Sequence, residues 1–321
     1  VSDRERIRAG LDAVIRGRDD GESIIADDAV FHIAAPIGKL VGRAAIRDDW
    51  FATLRNSFDG VHRRDIIALE SRDYLAPDEN WLAISTAYVG NFNVAFCGVA
   101  PSRSVAFFRA GEFYRIRDGR IVEARIIFDL PDLMQQTGIT PFPRTYGLQR
   151  NFPAPATQDG LTPSVGNSDE SRDVMARMLR DLIAFDPDTK TSAGMTGEGG
   201  AWHDDFLWYG PAGIGATYRW DGFVKDHRAP FLDAFPDRDK GETVCHLGDH
   251  NYAAICGHGM PMRHEGDYFT LAASGTSVLL PVMDFYRVQD GRLIENWVYL
   301  DYVDMFSQLG VDIVAGTGWP T

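Results

Sequence analysis

The chain has little of what several large function classes require. Among its 321 residues are three cysteines, Cys97, Cys245 and Cys256, an odd number in no metal-ligand spacing. Neither a disulfide framework nor a cysteine metal site is expected, and a reduced, cytoplasmic setting is. No apolar run approaches the ~18 residues of a membrane span, and the charged stretch Val1–Gly10 has no apolar h-region. Basic residues are in deficit, with 32 Lys and Arg against 46 Asp and Glu and a formal charge of −14. Such a surface repels phosphate backbones and anionic membranes, so the expected partners exclude nucleic acid and membrane. There is no Gly-x-Ser-x-Gly elbow. The glycine-rich Gly194–Gly200 lacks the P-loop lysine and the GxGxxG spacing, and reads as a mobile loop near a pocket mouth.

What the chain does have is an internal duplication. Residues 113–138 (FYRIRDGRIVEARIIFDLPDLMQQTG) match residues 285–310 (FYRVQDGRLIENWVYLDYVDMFSQLG) without a gap, with 11 of 26 positions identical. Upstream the match loosens: Asp27–Phe31 resembles Asp204–Trp208, Pro36–Gly38 resembles Pro211–Gly213, and Phe58 falls opposite Phe235. A period this long means two copies of a whole domain, not a solenoid. Three segments are expected: a divergent copy at 1–139, a Pro-rich linker at 140–168 and a second copy at 169–321. The linker's prolines exclude a long helix or a central strand, while its Phe142, Tyr146 and Phe152 suggest docking.

Each copy repeats one order of elements. A helix (Asp3–Arg16, Asp169–Phe185) precedes a short strand, a second helix (Arg43–Phe58, Asp221–Phe235) and three or four strands. The last two strands form hairpins through Asp118-Gly119 and Asp290-Gly291, where glycine accepts positive φ. Helices first and antiparallel strands later predict an α+β class, with helices packed on one face of a curved sheet.

The second copy resembles the SnoaL-like polyketide cyclase, or ester cyclase, family of the nuclear transport factor 2-like superfamily. The residues that carry this are Gly248–Tyr252, His264–Asp267, Met283–Arg287, Asp290–Arg292, Glu295–Trp297, Asp301 and Gln308–Val311. The resemblance implies two tandem cone-shaped α+β barrels, each enclosing a pocket, and an internal pseudo-dimer or a homo-oligomer. It also implies cofactor-free acid/base chemistry on a small molecule. The first copy departs from the pattern, with Arg125 in place of Trp297 and no histidine opposite His264. One copy is therefore expected to work while the other supports it.

By the family match, Asp301 is the acid/base. Strand alternation puts Glu295, Trp297, Tyr299 and Asp301 on one face. Walls of Trp297 and Tyr299 would desolvate Asp301 and raise its pKa. Equally, Asp301 is a suitable N-cap for 302–309. Six of the eight histidines fall in the second copy, among them His264 in the family-like stretch and His227 on the second helix. These two, with Tyr299, are read as orienting or oxyanion-stabilising groups beside Asp301. Trp208, Tyr252, Asp284 and His250 complete the expected substrate-binding set. Asp284, behind an apolar run, is read either as a second acid coupled to Asp301 or as an ion-pair partner of Arg287. His246 and His250 have zincin spacing, but Gly248 argues against a helix there, and no metal is expected. The reading is thus a cofactor-independent cyclase, dehydratase, isomerase or aldol-type lyase acting on a carbonyl-bearing or aromatic molecule in the C-terminal pocket. The alternative is a non-catalytic ligand-binding or scaffold protein of the same fold.

Overall fold

The computed structural model describes residues 2–320 except 164, 185, 187–199 and 240. Within Gly194–Gly200 only Gly200 lies inside the described residues, as does the helix expected to end at Phe185 only as far as its preceding turn. The first half begins with α1 (Asp3–Ile15), closed by a Ser2–Glu5 capping box. It continues through β1 (Ile25–Ile33), β2 (Gly38–Val41), α2 (Arg43–Ala45), a π-helical turn (Ile46–Phe51) and α3 (Ala52–Ser57). Four long strands follow, β3 (Phe58–Arg72), β4 (Asn80–Phe92), β5 (Val105–Arg117) and β6 (Arg120–Phe128), and then α4 (Leu130–Gln136).

The second half repeats this series. It comprises α5 (Ser168–Ile183), β7 (Trp202–Tyr209), β8 (Ala216–Tyr218), α6 (Arg219–Phe223), a π-helical turn (Val224–Arg228) and α7 (Ala229–Ala234). Strands β9 (Thr243–Asp249), β10 (Tyr252–Gly257), β11 (Met260–Arg263), β12 (Ser277–Leu280), β13 (Val282–Gln289) and β14 (Arg292–Leu300) lead to α8 (Tyr302–Gln308).

Two six-stranded sheets result, ordered β2-β1-β6-β5-β4-β3 and β8-β7-β14-β13-β10-β9, and the duplication is therefore a duplication of topology. Each sheet is mixed rather than purely antiparallel. The first long strand of each half joins the last in parallel, β1 with β6 and β7 with β14. The helices between them carry the chain back, as a parallel pairing requires.

The two sheets meet back to back. Phe113 and Phe285, equivalent residues, touch across the contact with ring centroids 5.3 Å apart. Tyr299 donates or accepts a 2.8 Å bond with Ser85, and its ring fills the space where a Cβ on Gly111 would sit. The segment joining the halves docks partly in the second domain's core and partly on this seam. Phe142 is buried against Phe269 at 4.6 Å, Arg109 lies over the Phe152 ring at 4.4 Å, and Leu148 bridges to Ala216.

Candidate active site

A β-bulge in each terminal hairpin decides which side chains face the inside of each cone. Near the turn, Gln289 pairs with Arg292 and Val288 with Leu293. Beyond it the register shifts, so that Arg287 pairs with Glu295, Asp284 with Val298 and Val282 with Leu300. A bulge adds one residue to one strand, and with a side-chain period of two it reassigns every later face. Without it Asp284 would oppose Trp297. With it, Asp284 and Tyr286 share the inner face with Asn296, Val298 and Leu300. The first hairpin carries the same shift, between Arg115 and Ile116.

That inner face borders a cavity of about 690 Å³ in the C-terminal domain. Its apolar walls come from Trp202 and Trp208 of β7, Phe223 and Phe231 of the second helical segment, and Val282, Val298 and Leu300 of the hairpin. The polar groups are Asp284, Tyr286 and Asn296 at the strands, His227 on the π-helical turn, and Arg180, Arg228 and Arg238. Asn296 donates to Asp284 Oδ1 at 3.2 Å and to the carbonyl of Phe285 at 3.1 Å, which fixes its amide. No ion pair reaches Asp284 among the described residues. Burial pushes its carboxyl up to about 6, opposed by hydrogen bonds from Asn296 and Tyr286. His227 stacks on Trp208 with centroids 4.3 Å apart, and its Nδ1 is buried with no hydrogen-bond partner among the described residues. Burial, reinforced by the cations of Arg228 and Arg238, lowers its pKa well below the usual histidine range, so the imidazole is neutral at pH 7. Trp202 Nε1 is likewise buried with no partner among the described residues.

Of the residues expected at the site, the cavity brings together Asp284, His227 and Trp208. The others stand elsewhere. Asp301 caps α8, accepting from Asp304 N at 3.1 Å, and its other oxygen accepts from Ala35 N of the first domain at 2.9 Å. It borders a crevice of about 100 Å³ between the domains, with His32 and Arg125. Trp297 and Tyr299 lie on the outer face of β14, in the seam, where Trp297 Nε1 donates to Pro153 O at 2.8 Å. The bulge is the physical reason: the odd-numbered face of β14 meets the other domain, and the even-numbered face meets the cavity. Glu295 on that outer face is paired with Arg287 at 2.5 Å, so Arg287 is not Asp284's partner.

His264 is fully buried behind Phe235, with Nδ1 3.1 Å from Ser274 Oγ, and does not line the cavity. His250 sits at positive φ in the β9–β10 turn, its Nδ1 2.8 Å from Asp249. Tyr252 donates to Asp159 of the connecting segment at 2.5 Å. Among the described residues no group of three or more His, Cys, Asp or Glu is arranged to hold a metal ion.

Sequence reasoning missed Asn296, Tyr286 and Trp202. Counting outward from the Asp290-Gly291 turn would have found the first two only with the bulge included.

The equivalent cone of the first domain is filled. Trp50 stacks on Phe128 at 5.6 Å and meets Tyr88 edge-on at 5.9 Å, while Phe58, Phe96 and Phe108 pack below. Trp50 stands eight residues before Phe58 and His227 eight before Phe235, so an indole replaces the imidazole of the open cone. Glu112, equivalent to Asp284, is held by both Arg63 nitrogens at 3.1 and 2.6 Å and by the Tyr88 hydroxyl.

The class of protein is thereby set: a duplicated, cone-shaped α+β fold with one open and one closed cone. A family model described as SnoaL-like polyketide cyclase matches residues 11–137 and 198–309, and the chain belongs to that family. No curated protein matches the chain. Among solved structures it is similar to IdmH of Streptomyces antibioticus, a candidate polyketide cyclase, at 22% identity over 42% of this chain and 99% of that one, with a TM-score of 0.36. It is also similar to a protein of ketosteroid isomerase-like fold from Catenulispora acidiphila, at 19% identity over 41% and 92% with a TM-score of 0.33. A candidate SnoaL-like polyketide cyclase from Jannaschia sp. CCS1 shows 17% identity over 43% and 92%, with a TM-score of 0.35.

Proposed function

We propose that the C-terminal domain is an acid/base enzyme that moves a proton on a flat, mostly apolar substrate carrying an enolisable carbonyl. Asp284 is the proton-transfer group. The observation that carries this is its isolation. In the first domain the equivalent carboxylate is chelated by an arginine, whereas among the described residues Asp284 has only neutral hydrogen-bond donors and lines the cavity. A carboxyl titrating near pH 6 is poised to take and return protons at neutral pH.

The proposed step removes a proton from the carbon next to the carbonyl onto an Asp284 oxygen, and the C–H electron pair moves onto the carbonyl oxygen as an enolate. Neutral His227 donates a hydrogen bond to that oxygen, on the arginine-bearing side of the cavity where negative charge is favoured. The enolate carbon then attacks a second carbonyl of the same molecule, giving cyclisation; where the substrate carries a β,γ C=C, the conjugated dienolate is instead protonated at the γ-carbon, giving isomerisation. The proton on Asp284 goes to the new alkoxide or to that carbon. The indole surfaces of Trp202 and Trp208 hold the ring system. On this reading the first domain, with its closed cone, is a scaffold, so the support role falls to one half of the chain.

Solvent-deuterium exchange into 2-tetralone, followed by NMR, tests the reading. The protein should accelerate exchange at the α-carbon, and Asp284→Asn should lose about 10²–10⁴-fold of that acceleration. Exchange that survives the substitution unchanged overturns the assignment of Asp284.

A further inference from the structure

The β3–β4 and β9–β10 hairpins are equivalent, but their connections differ. Tyr252 and Asp249 close the second with only His250 and Asn251 between them, whereas Arg72 and Asn80 close the first around residues 73–79. The longer connection leaves its own domain. Asp73, buried, accepts from His246 N of β9 at 3.0 Å, and Tyr74 N donates to His246 O at 3.0 Å, a two-bond clamp onto the other domain's edge strand. Asp73 Oδ1 also accepts from Leu75 N at 3.1 Å, and Glu79 N donates to Ala76 O at 2.9 Å, so the loop is internally braced. The Tyr74 ring meets His246 edge-on at 5.5 Å and lies under the Arg172 guanidinium at 4.4 Å.

These bonds hold two large apolar side chains in an unusual place. Tyr74 and Leu75 are 53% and 55% exposed, yet both line the cavity that contains Asp284. The cavity is also lined by Leu179, Leu182 and Ile183 of α5, and Ile183 is itself 54% exposed. Exposed apolar residues gathered around one opening leave a cost in water that an apolar ligand would remove.

We infer that the loop 73–79 of the first domain is the outer wall of the second domain's ligand site, and that Tyr74 and Leu75 select the apolar, ring-bearing end of the ligand. This rests on the cavity being the ligand site, as proposed above. It gives the closed-cone domain a direct part in recognition. Asp73 is a positioning residue, acting through the backbone of His246. Insertion in one copy only is what such a role requires, since the other copy's cone has no room for a ligand.

The test uses the full chain and 1-anilinonaphthalene-8-sulfonate, an apolar ring probe with an anionic group that suits the cavity's arginines. Its fluorescence gives Kd for the parent protein, Tyr74→Ala, Leu75→Ala, Tyr74→Phe and Asp73→Ala. A cavity-filled control, His227→Trp with Leu300→Phe, copies the packing of the first cone through Trp50 and Phe128; Leu300→Phe alone replaces it if the pair does not fold. The expected result is loss of binding in the filled control, a 5-fold or greater rise in Kd for Tyr74→Ala, Leu75→Ala and Asp73→Ala, and near-parent binding for Tyr74→Phe. If the filled control loses binding while the alanine variants stay within twofold of the parent, the loop inference is overturned and the cavity reading stands. If the filled control still binds as the parent does, the cavity is not the ligand site and both fall.

Discussion

Glu112 and Asp284 occupy the same position in the two halves of the chain, and among the described residues only Glu112 is paired with a cation. Glu112 pairs with Ile84 and Ile126 in its sheet, as Asp284 pairs with Ile255 and Val298. The first is neutralised by Arg63 and the second faces open space. One position of the repeat is thus a buried ion pair in one copy and a carboxyl lining the cavity in the other.

The two carboxyls should respond oppositely to amide substitution. At pH 7.5 Asp284→Asn removes a charge that burial disfavours, and should stabilise the protein by about 1–3 kcal/mol, the energy of a pKa raised by roughly two units. The native state holds this proton more tightly than the unfolded chain. The penalty is therefore absent below about pH 4, grows as pH rises, and is complete above about pH 6. Glu112→Gln leaves Arg63 buried with Asp65 alone, and should cost about 3 kcal/mol. Urea melts of both variants at pH 4 and 7.5 check the pair of signs.

Proton transfer by Asp284 needs the carboxylate. Exchange into 2-tetralone should rise with pH, reach half its plateau near pH 6 and flatten above. Burial also pushes Asp301 up to about 6, so the pH profile alone does not choose between them. Only the Asp284→Asn variant should lose the limb together with the rate. Neutral His227 adds no second limb on the alkaline side.

Asp301→Ala should weaken the fold and spare the chemistry. It removes an N-cap worth about 1 kcal/mol and a charged acceptor for Ala35 N worth about 1.5–3 kcal/mol. The equivalent Asp129 caps α4 and accepts from Ala212 N at 2.9 Å, so each domain holds the other through a matched pair of aspartates. A lowered denaturation midpoint with an unchanged exchange rate is the expected outcome, and loss of exchange at full stability would return Asp301 to the site.

Opening the first cone should not create a second site. Trp50→Ala removes a fully buried indole stacked on Phe128 and should cost about 3–5 kcal/mol. Glu112 stays chelated by Arg63, so exchange activity should not rise above that of the parent protein. NMR exchange on the Trp50→Ala, Asp284→Asn double variant isolates this contribution.

Local signals were enough to read the duplication, the helix starts, the Asp-Gly hairpins and the α+β class, because each is written in neighbouring residues. Turn glycines, caps and periodic apolar positions act within a few residues and leave marks in sequence order. The sequence also brought Asp284, His227 and Trp208 into consideration through composition and strand placement. It did not reveal which face of β14 looks inward, because one bulged residue near Arg287 inverts that face and has no residue-type signature. Nor did it show which cone is open. That depends on whether Trp50, Phe128 and Arg63 of one copy, and His227, Leu300 and Asp284 of the other, fill the space between sheet and helices. Packing of distant residues decided this, as it decided that Asp301 would join the domains and that Tyr74 would reach from one half of the chain to the cavity of the other.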